Sequence, residues 1–188
     1  MKHLIEDLFW FPDFLSEEEA TLLYHQFEKE IPWEIMPITI FGKTVSTPRK
    51  EAFFSENNLN YSYSGKKLTQ NAFTPEITAL KTKIEQLTGE QFNAVLINFY
   101  RDGNDSNGWH ADNEKELGKE PIIASLSLGT TRRFDLKQIS SGEKISIDLI
   151  HGSLLLMGKS IQPNWKHCIA KSKRVITGRI NLTFRKII

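Results

Sequence analysis

The sequence predicts a mainly β protein with flanking helices. Three observations carry this. From residue 92 onward, short strand-like runs recur at 93–101, 122–128, 132–139, 144–150, 153–157, 166–170 and 178–185, with Gly129, Ser141-Gly142, His151-Gly152, Gly158 and Gly178 between or beside them. Many short strands at close spacing denote a sandwich or barrel. Helical spacing is confined to two stretches, both before residue 92. Finally, 188 residues that are 39% hydrophobic and 11% aromatic suit one domain with a sizeable core.

Taken in order, residues 1–15 hold Leu8, Phe9, Trp10, Phe11 and Phe14 around Pro12, which reads as a short strand and turn packed into the core. Ser16, with Glu19 three residues later, forms a capping box. The helix it opens runs to about Glu30, puts Ala20, Leu23, Tyr24 and Phe27 on one face, and is closed by Pro32. Trp33-Glu34-Ile35 and residues 37–41 are strand-like, Gly42-Lys43 turns the chain, and a second strand follows through Thr47. Pro48-Arg49-Lys50 adds positive charge, and Tyr61 and Tyr63 share one face of an extended segment. This region has two readings. Its aromatics pack on the core as a hairpin lid, which composition favours, or they stack on bases while the cations meet phosphates. A second helix spans Pro75 to about Leu87, with Ile77, Leu80, Ile84 and Leu87 at helical spacing and Gly89 after it. Asn93–Arg101 then alternates, with Val95, Ile97 and Phe99 on one face and Leu96, Asn98 and Tyr100 on the other. A turn-rich loop, 102–108, follows.

Bulk properties exclude several classes. The single Cys168 rules out an intramolecular disulfide framework and suits a reducing compartment. Residues 1–7 lack the apolar stretch of a signal peptide, and no segment has the length of a membrane span. A cytoplasmic bacterial protein is the simplest expectation, with a nuclear location left open. The net charge of +1 leaves a nucleic-acid partner undecided, because a local basic face is what matters.

The candidate chemistry starts at Gly108-Trp109-His110-Ala111-Asp112. In an extended chain residues i and i+2 face the same way, so His110 and Asp112 can reach one metal ion. His167 supplies a second imidazole between two later strands. Two His and one carboxylate make the facial triad of non-haem Fe(II), with positions left open for cosubstrate and oxygen. The last strand, Arg179–Arg185, alternates without a break. Ile180, Leu182 and Phe184 take one face, while Arg179, Asn181, Thr183 and Arg185 share the other. That second face is either an ordinary solvated side or a grip for a dicarboxylate, since Arg offers each carboxylate a bidentate fork. The two Arg are about 20 Å apart at roughly 3.3 Å per residue, so only inward-converging side chains hold a small ligand. His151, beside a turn, reads as structural, and His3 and His25 read as surface residues.

The order of these motifs resembles the AlkB family of Fe(II)/2-oxoglutarate dioxygenases, above all the branch that repairs alkylated bases in double-stranded DNA. The resemblance rests on Phe41-Gly42-Lys43, Pro48-Arg49-Lys50, Tyr61-Ser62-Tyr63-Ser64-Gly65, residues 98–103, His110-Ala111-Asp112, residues 151–154, His167 and Arg179–Arg185. It implies a double-stranded β-helix (jelly-roll) core at 92–188, preceded within the same domain by an extension, 1–91, that carries helices and a hairpin nucleotide-recognition lid. It also implies Fe(II) at His110, Asp112 and His167, with 2-oxoglutarate and O2 as cosubstrates. Arg179 would meet the distal carboxylate with help from Tyr100, and Asn98, Thr183 and Arg185 would line the rest, with Asn181 on the same face. Phe41 would fill the gap left by a flipped base. Tyr63 would stack on that base with Tyr61 and Ser62 nearby, beside the Gly42 turn, and Arg49 and Lys43 would contact phosphates.

The implied reaction is oxidative demethylation of 1-methyladenine and 3-methylcytosine, releasing succinate, CO2 and formaldehyde, by a monomer acting on duplex DNA rather than single strands. RNA or protein substrates, or a non-catalytic nucleic-acid-binding role, are the alternatives. One departure stands out. Related duplex-repairing enzymes often carry a second acidic residue after the metal-binding Asp, where it would sit near the base's exocyclic amine, and here Asn113 follows.

Overall fold

A computed structural model describes residues 1–35, 37–40, 43–56, 62–63, 66–67 and 69–188. In chain order the elements are β1 (Lys2–Ile5), β2 (Leu8–Phe11), α1 (Glu17–Glu30), β3 (Pro37–Ile40), β4 (Lys43–Ser46), β5 (Lys50–Ser55), β6 (Ser62–Tyr63), β7 (Lys66–Lys67), β8 (Gln70–Asn71) and α2 (Pro75–Thr88). There follow β9 (Ala94–Tyr100), β10 (Asn107–His110), a 3-10 turn (Lys115–Leu117), β11 (Ile123–Gly129), β12 (Arg132–Gln138), β13 (Lys144–Leu149), β14 (Leu154–Met157), α3 (Ile161–Asn164), β15 (Trp165–Ile169) and β16 (Arg179–Arg185).

Two sheets form the body. The major sheet runs β1-β2-β14-β11-β16-β9-β5-β8, and the minor one runs β10-β15-β12-β13. Within the major sheet β16 is antiparallel to β9 on one side and to β11 on the other. This is the sheet-rich jelly-roll architecture that the sequence led us to expect. The helices form as their caps dictate. Ser16 accepts a hydrogen bond from Glu19 N, and Thr74 accepts one from Ile77 N ahead of Pro75 at the first helical position. Gly89 takes the left-handed conformation that ends α2.

The core lies in two layers, one on each face of the major sheet. Phe27, Ile77, Leu80 and Ile84 from the helices meet Val95, Ile97, Leu182 and Phe184. Leu96, Ile123, Phe134, Leu136, Ile147, Leu155 and Trp165 fill the space around the other face and the minor sheet. Each large side chain so buried stabilises the fold by roughly 1.5–3 kcal/mol. Strand β9 therefore alternates as expected, but both of its faces are buried, and the same holds for β16.

Two expectations need correction. Lys50 reads only as the end of the basic Pro48-Arg49-Lys50 segment and residues 51–55 carry no predicted element, whereas Lys50–Ser55 form β5, which pairs with β9. Five of its six residues are buried, so no alternation marks it. The boundary at residue 92 also divides the sequence but not the architecture, since β1, β2, β5 and β8 all belong to the major sheet.

Candidate active site

The triad is assembled by the edge of the minor sheet. β10 pairs with β15 so that His110 lies directly opposite His167. The two rings meet edge to face at 4.2 Å between centroids. Asp112 follows two residues after His110, and its backbone N–H donates to Gln162 Oε1 of α3 at 2.9 Å. One ligand atom from each of His110, Asp112 and His167 lies within 4.8 Å of the other two. Nδ1 of His110 is 2.7 Å from the Gly108 carbonyl, so it carries the proton and leaves Nε2 with its lone pair, 3.9 Å from Asp112 Oδ1. Phe134 stacks on the other imidazole, its ring 5.2 Å from that of His167.

The electrostatics suit a cation. Arg185 Nη2 holds Asp112 Oδ2 at 3.0 Å, while Oδ1 is buried without a hydrogen-bond partner among the described residues. Burial alone would raise the Asp112 carboxyl, but Arg185, His167 and His110 outweigh it and hold the pKa at about 2. Burial, reinforced by His110, pushes His167 down to about 3, and burial also lowers His110. Both imidazoles are thus neutral and the carboxylate charged, the protonation states a metal requires. Nδ1 of His167 is likewise buried, with no hydrogen-bond partner among the described residues. These orphaned polar atoms around one point fit Fe(II).

The rest of the pocket comes from the polar face of β9 and β16. Asn98, Tyr100, Arg179, Asn181, Thr183 and Arg185 all line the same cavity as the triad. The register explains it, because Tyr100 lies opposite Arg179 and Asn98 opposite Asn181. This face is buried rather than solvated. Arg179 is 1% exposed, and burial brings its guanidinium down to about 10. Its Nη2 donates to Ser127 Oγ at 2.8 Å, and its guanidinium carbon sits 5.4 Å over the Tyr100 ring. Among the described residues its Nε and Nη1 make no hydrogen bond by distance and angle. A buried cation with two idle donors is costly unless an anion meets it. A carboxylate at the end of a dicarboxylic acid is that anion, so the pocket fits 2-oxoglutarate. Asn181 is committed to β11 through Ser125 Oγ and the Leu126 carbonyl, both at 2.9 Å, and it accepts from Thr183. These contacts make Asn181 a brace for the wall.

Several expected residues behave differently. Arg49 was expected on a phosphate, yet it is 4% exposed and lies inside. Its guanidinium donates to Asn98 Oδ1 at 2.8 Å, to the Ser106 carbonyl at 3.2 Å and to Glu51 Oε1 at 2.7 Å. That commits it to holding Asn98 rather than DNA. Asn113 is exposed and outside the pocket wall. The next residue, Glu114, is acidic and is likewise not part of that wall. Glu114 is half-buried, and its Oε2 is buried with no hydrogen-bond partner among the described residues. Burial pushes its carboxyl up, while Arg185 acts in the opposite direction. Phe41, Gly42 and Tyr61 lie outside the described residues, and Lys43, Ser62 and Tyr63 are placed as backbone of β4 and β6. His151 is structural as expected, bonded to Gly129 N at 2.7 Å and Thr21 Oγ1 at 3.2 Å. Gln162 on α3 and Ser125 and Ser127 on β11 carried no signal in the sequence, since only the tertiary fold brings them here.

A jelly roll with a His-Asp-His triad beside a buried, anion-seeking arginine defines an iron- and 2-oxo-acid-dependent oxygenase. Residues 7–185 match the family described as the 2OG-Fe(II) oxygenase superfamily, and the chain belongs to it. Within that superfamily it is AlkB-like. It is 36% identical over 184 residues to the mouse (Mus musculus) protein named DNA oxidative demethylase ALKBH2, covering 92% of this chain and 77% of that protein. It is also 36% identical over 187 residues to the mouse alpha-ketoglutarate-dependent dioxygenase alkB homolog 3, covering 94% of this chain and 65% of the relative. Among solved structures, OsALKBH1 superposes with a TM-score of 0.72 at 16% identity, covering 98% of this chain and all (100%) of that one. The protein is an Fe(II)/2-oxoglutarate-dependent dioxygenase that uses O2.

Proposed function

We propose that this dioxygenase repairs DNA by removing N-linked methyl groups from 1-methyladenine and 3-methylcytosine, in duplexes in preference to single strands. The observation that carries the reading is its likeness, across 92% of its length, to a protein named a DNA oxidative demethylase. Iron and 2-oxoglutarate supply the oxidising chemistry, and the chain supplies binding, orientation and electrostatics.

His110, Asp112 and His167 are the metal ligands in this reading. Arg179 and Tyr100 hold the distal carboxylate, and Arg185 fixes Asp112 while Arg49 fixes Asn98. Both lesions are cationic bases. Glu114, with an idle carboxylate oxygen beside Asp112 and Arg185, offers such a base an acceptor for its exocyclic amine. A base in a duplex must be flipped out to reach the metal. Trp109, adjacent to His110 and 45% exposed, offers a stacking face, and Lys171, Lys173 and Arg174 are exposed in the loop after β15 where phosphates can be met. Phe41, Tyr61, Ser62, Tyr63 and Lys43 complete the base-handling side.

The test is formaldehyde release and base restoration on a duplex oligonucleotide with one 1-methyladenine, supplied with Fe(II), 2-oxoglutarate, O2 and ascorbate. Restoration that is lost in His110→Ala supports the reading. Succinate without restoration moves the substrate to RNA or protein, and iron binding with neither product leaves a binding module.

A further inference from the structure

Arg132 opens β12 and is 2% exposed, yet it is not part of the pocket wall. Among the described residues no carboxylate forms an ion pair with it at contact distance. Its Nη1 donates to the Asp102 carbonyl at 3.0 Å, and its Nη2 donates to the Asp105 and Ala170 carbonyls at 2.9 and 2.8 Å. Its guanidinium carbon lies 5.6 Å over the Tyr100 ring, the same ring that Arg179 covers. Its hydrogen bonds go to backbone carbonyls, with the Asp102 and Asp105 carboxylates nearby as opposite charges, and a guanidinium buried in this way costs more than an apolar side chain of that size would, so its presence calls for a role that geometry supplies.

The three carbonyls belong to two chain segments that matter to the site. Asp102 and Asp105 lie in the turn between β9, which carries Tyr100, and β10, which carries His110. Ala170 immediately follows β15, which carries His167. The same turn is fastened to the 170–175 segment by Gly103 N to the Val175 carbonyl and Ser172 N to the Gly103 carbonyl. The packing is so close that a Cβ on Gly103 would collide with the Ser172 carbonyl. Asp105 is in turn held by Arg101. Arg132 thus joins the two sheets at the end of the pocket where Tyr100 and Arg179 meet.

We propose that Arg132 is a positioning residue for the cosubstrate. It holds the Tyr100 ring and the 102–105 turn so that the distal-carboxylate end of the pocket is formed before 2-oxoglutarate arrives. The inference rests on the reading of Arg179 and Tyr100 as that end. Arg132 touches no ligand itself, so its removal should weaken the grip on the distal carboxylate and spare the chelating end at the metal.

The experiment titrates the Mn(II)-loaded protein, which does not turn over, with 2-oxoglutarate and with 2-oxopentanoate, which lacks the distal carboxylate. Arg132→Lys keeps the charge and loses the fork, and Arg132→Met loses both. Each is expected to bind 2-oxoglutarate about tenfold more weakly while 2-oxopentanoate binding is unchanged. KM for 2-oxoglutarate rises in step with kcat preserved. In a Tyr100→Leu background Arg132→Lys adds nothing further. Equal weakening of both acids, no weakening of either, or an additive effect in the Tyr100→Leu background overturns the proposal. If neither Arg132 variant folds, Gly103→Ala displaces the same turn and must show the same selectivity. Arg179→Met is the control. If it fails to lose the preference for 2-oxoglutarate over 2-oxopentanoate, the reading of the pocket falls, whereas if it loses that preference and the Arg132 variants keep it, only the present inference falls.

Discussion

Asn98, Tyr100, Arg179 and Arg185 stand on β9 and β16 near the middle of an eight-stranded sheet, with a hydrogen-bonded strand on either side. Lys43 and Tyr63 stand instead on β4 and β6, each in a two-stranded sheet of its own. The difference is one of constraint. A residue on a central strand inherits its place from two neighbouring registers and from core packing on both faces. A two-stranded ribbon is marginal by itself and depends on what packs against it. Reacting atoms tolerate little misplacement, so the cosubstrate residues belong on the central strands, while the metal ligands are set by the β10–β15 pairing of the minor sheet, with Asp112 just past β10. A ribbon suits contacts with a polymer substrate, where charge and stacking are forgiving. Variants on the two sides should therefore fail in different ways.

The largest failure belongs to the metal ligands. Saturating Mn(II) at a hundred times its Kd stabilises a protein by about 2.7 kcal/mol, or roughly 5–11 °C in melting temperature for a chain of this size. In Asp112→Ala that rise should vanish and 2-oxoglutarate turnover should fall to background. A preserved Mn(II)-dependent rise, read by calorimetry, would remove Asp112 from the ligand set. Next comes Arg179→Met. Losing a buried charge that faces a carboxylate costs on the order of 2–5 kcal/mol, so KM for 2-oxoglutarate should rise by roughly thirtyfold or more while Mn(II) affinity holds. Unaltered KM would show that the distal carboxylate is held elsewhere.

What the sequence disclosed follows the same divide. Alternation is local, so β9 and β16 could be read residue by residue, and His110, Asp112, His167, Arg179 and Arg185 were found by spacing and by resemblance. Register is not local. Nothing in the spelling of residues 123–129 says that Ser125 and Ser127 lie against Asn181 and Arg179, or that Gln162 reaches the backbone of Asp112. Strand β5 escaped because it is buried on both faces and so lacks a period-2 pattern. Glu114 has no marker of its own in the sequence, because its partial burial beside Asp112 and Arg185 depends on the fold. Arg49 misled for a simpler reason. A basic residue beside a lysine looks like a phosphate contact until its partners Asn98 and Glu51 are seen, both of which are distant or unremarkable in the sequence.

Arg49 and Lys43 therefore give the sharpest test of the divide, since both were expected on phosphates. Arg49→Met leaves Glu51 buried without its ion-pair partner, a loss of about 3 kcal/mol, or roughly 6–12 °C in melting temperature. It should also raise KM for 2-oxoglutarate, because Asn98 loses its anchor. The dependence of DNA affinity on salt should not change. Lys43→Ala is predicted to do the reverse and to have the smallest effect. Melting temperature and KM for 2-oxoglutarate should stay as they are, while the slope of log affinity for a duplex against log salt should drop by about one, with affinity falling alike for every sequence. If Arg49→Met flattens the salt slope, its guanidinium reaches DNA after all. If Lys43→Ala leaves the slope untouched, β4 does not face the phosphate backbone, and the exposed Lys171, Lys173 and Arg174 become the residues whose removal should reduce it.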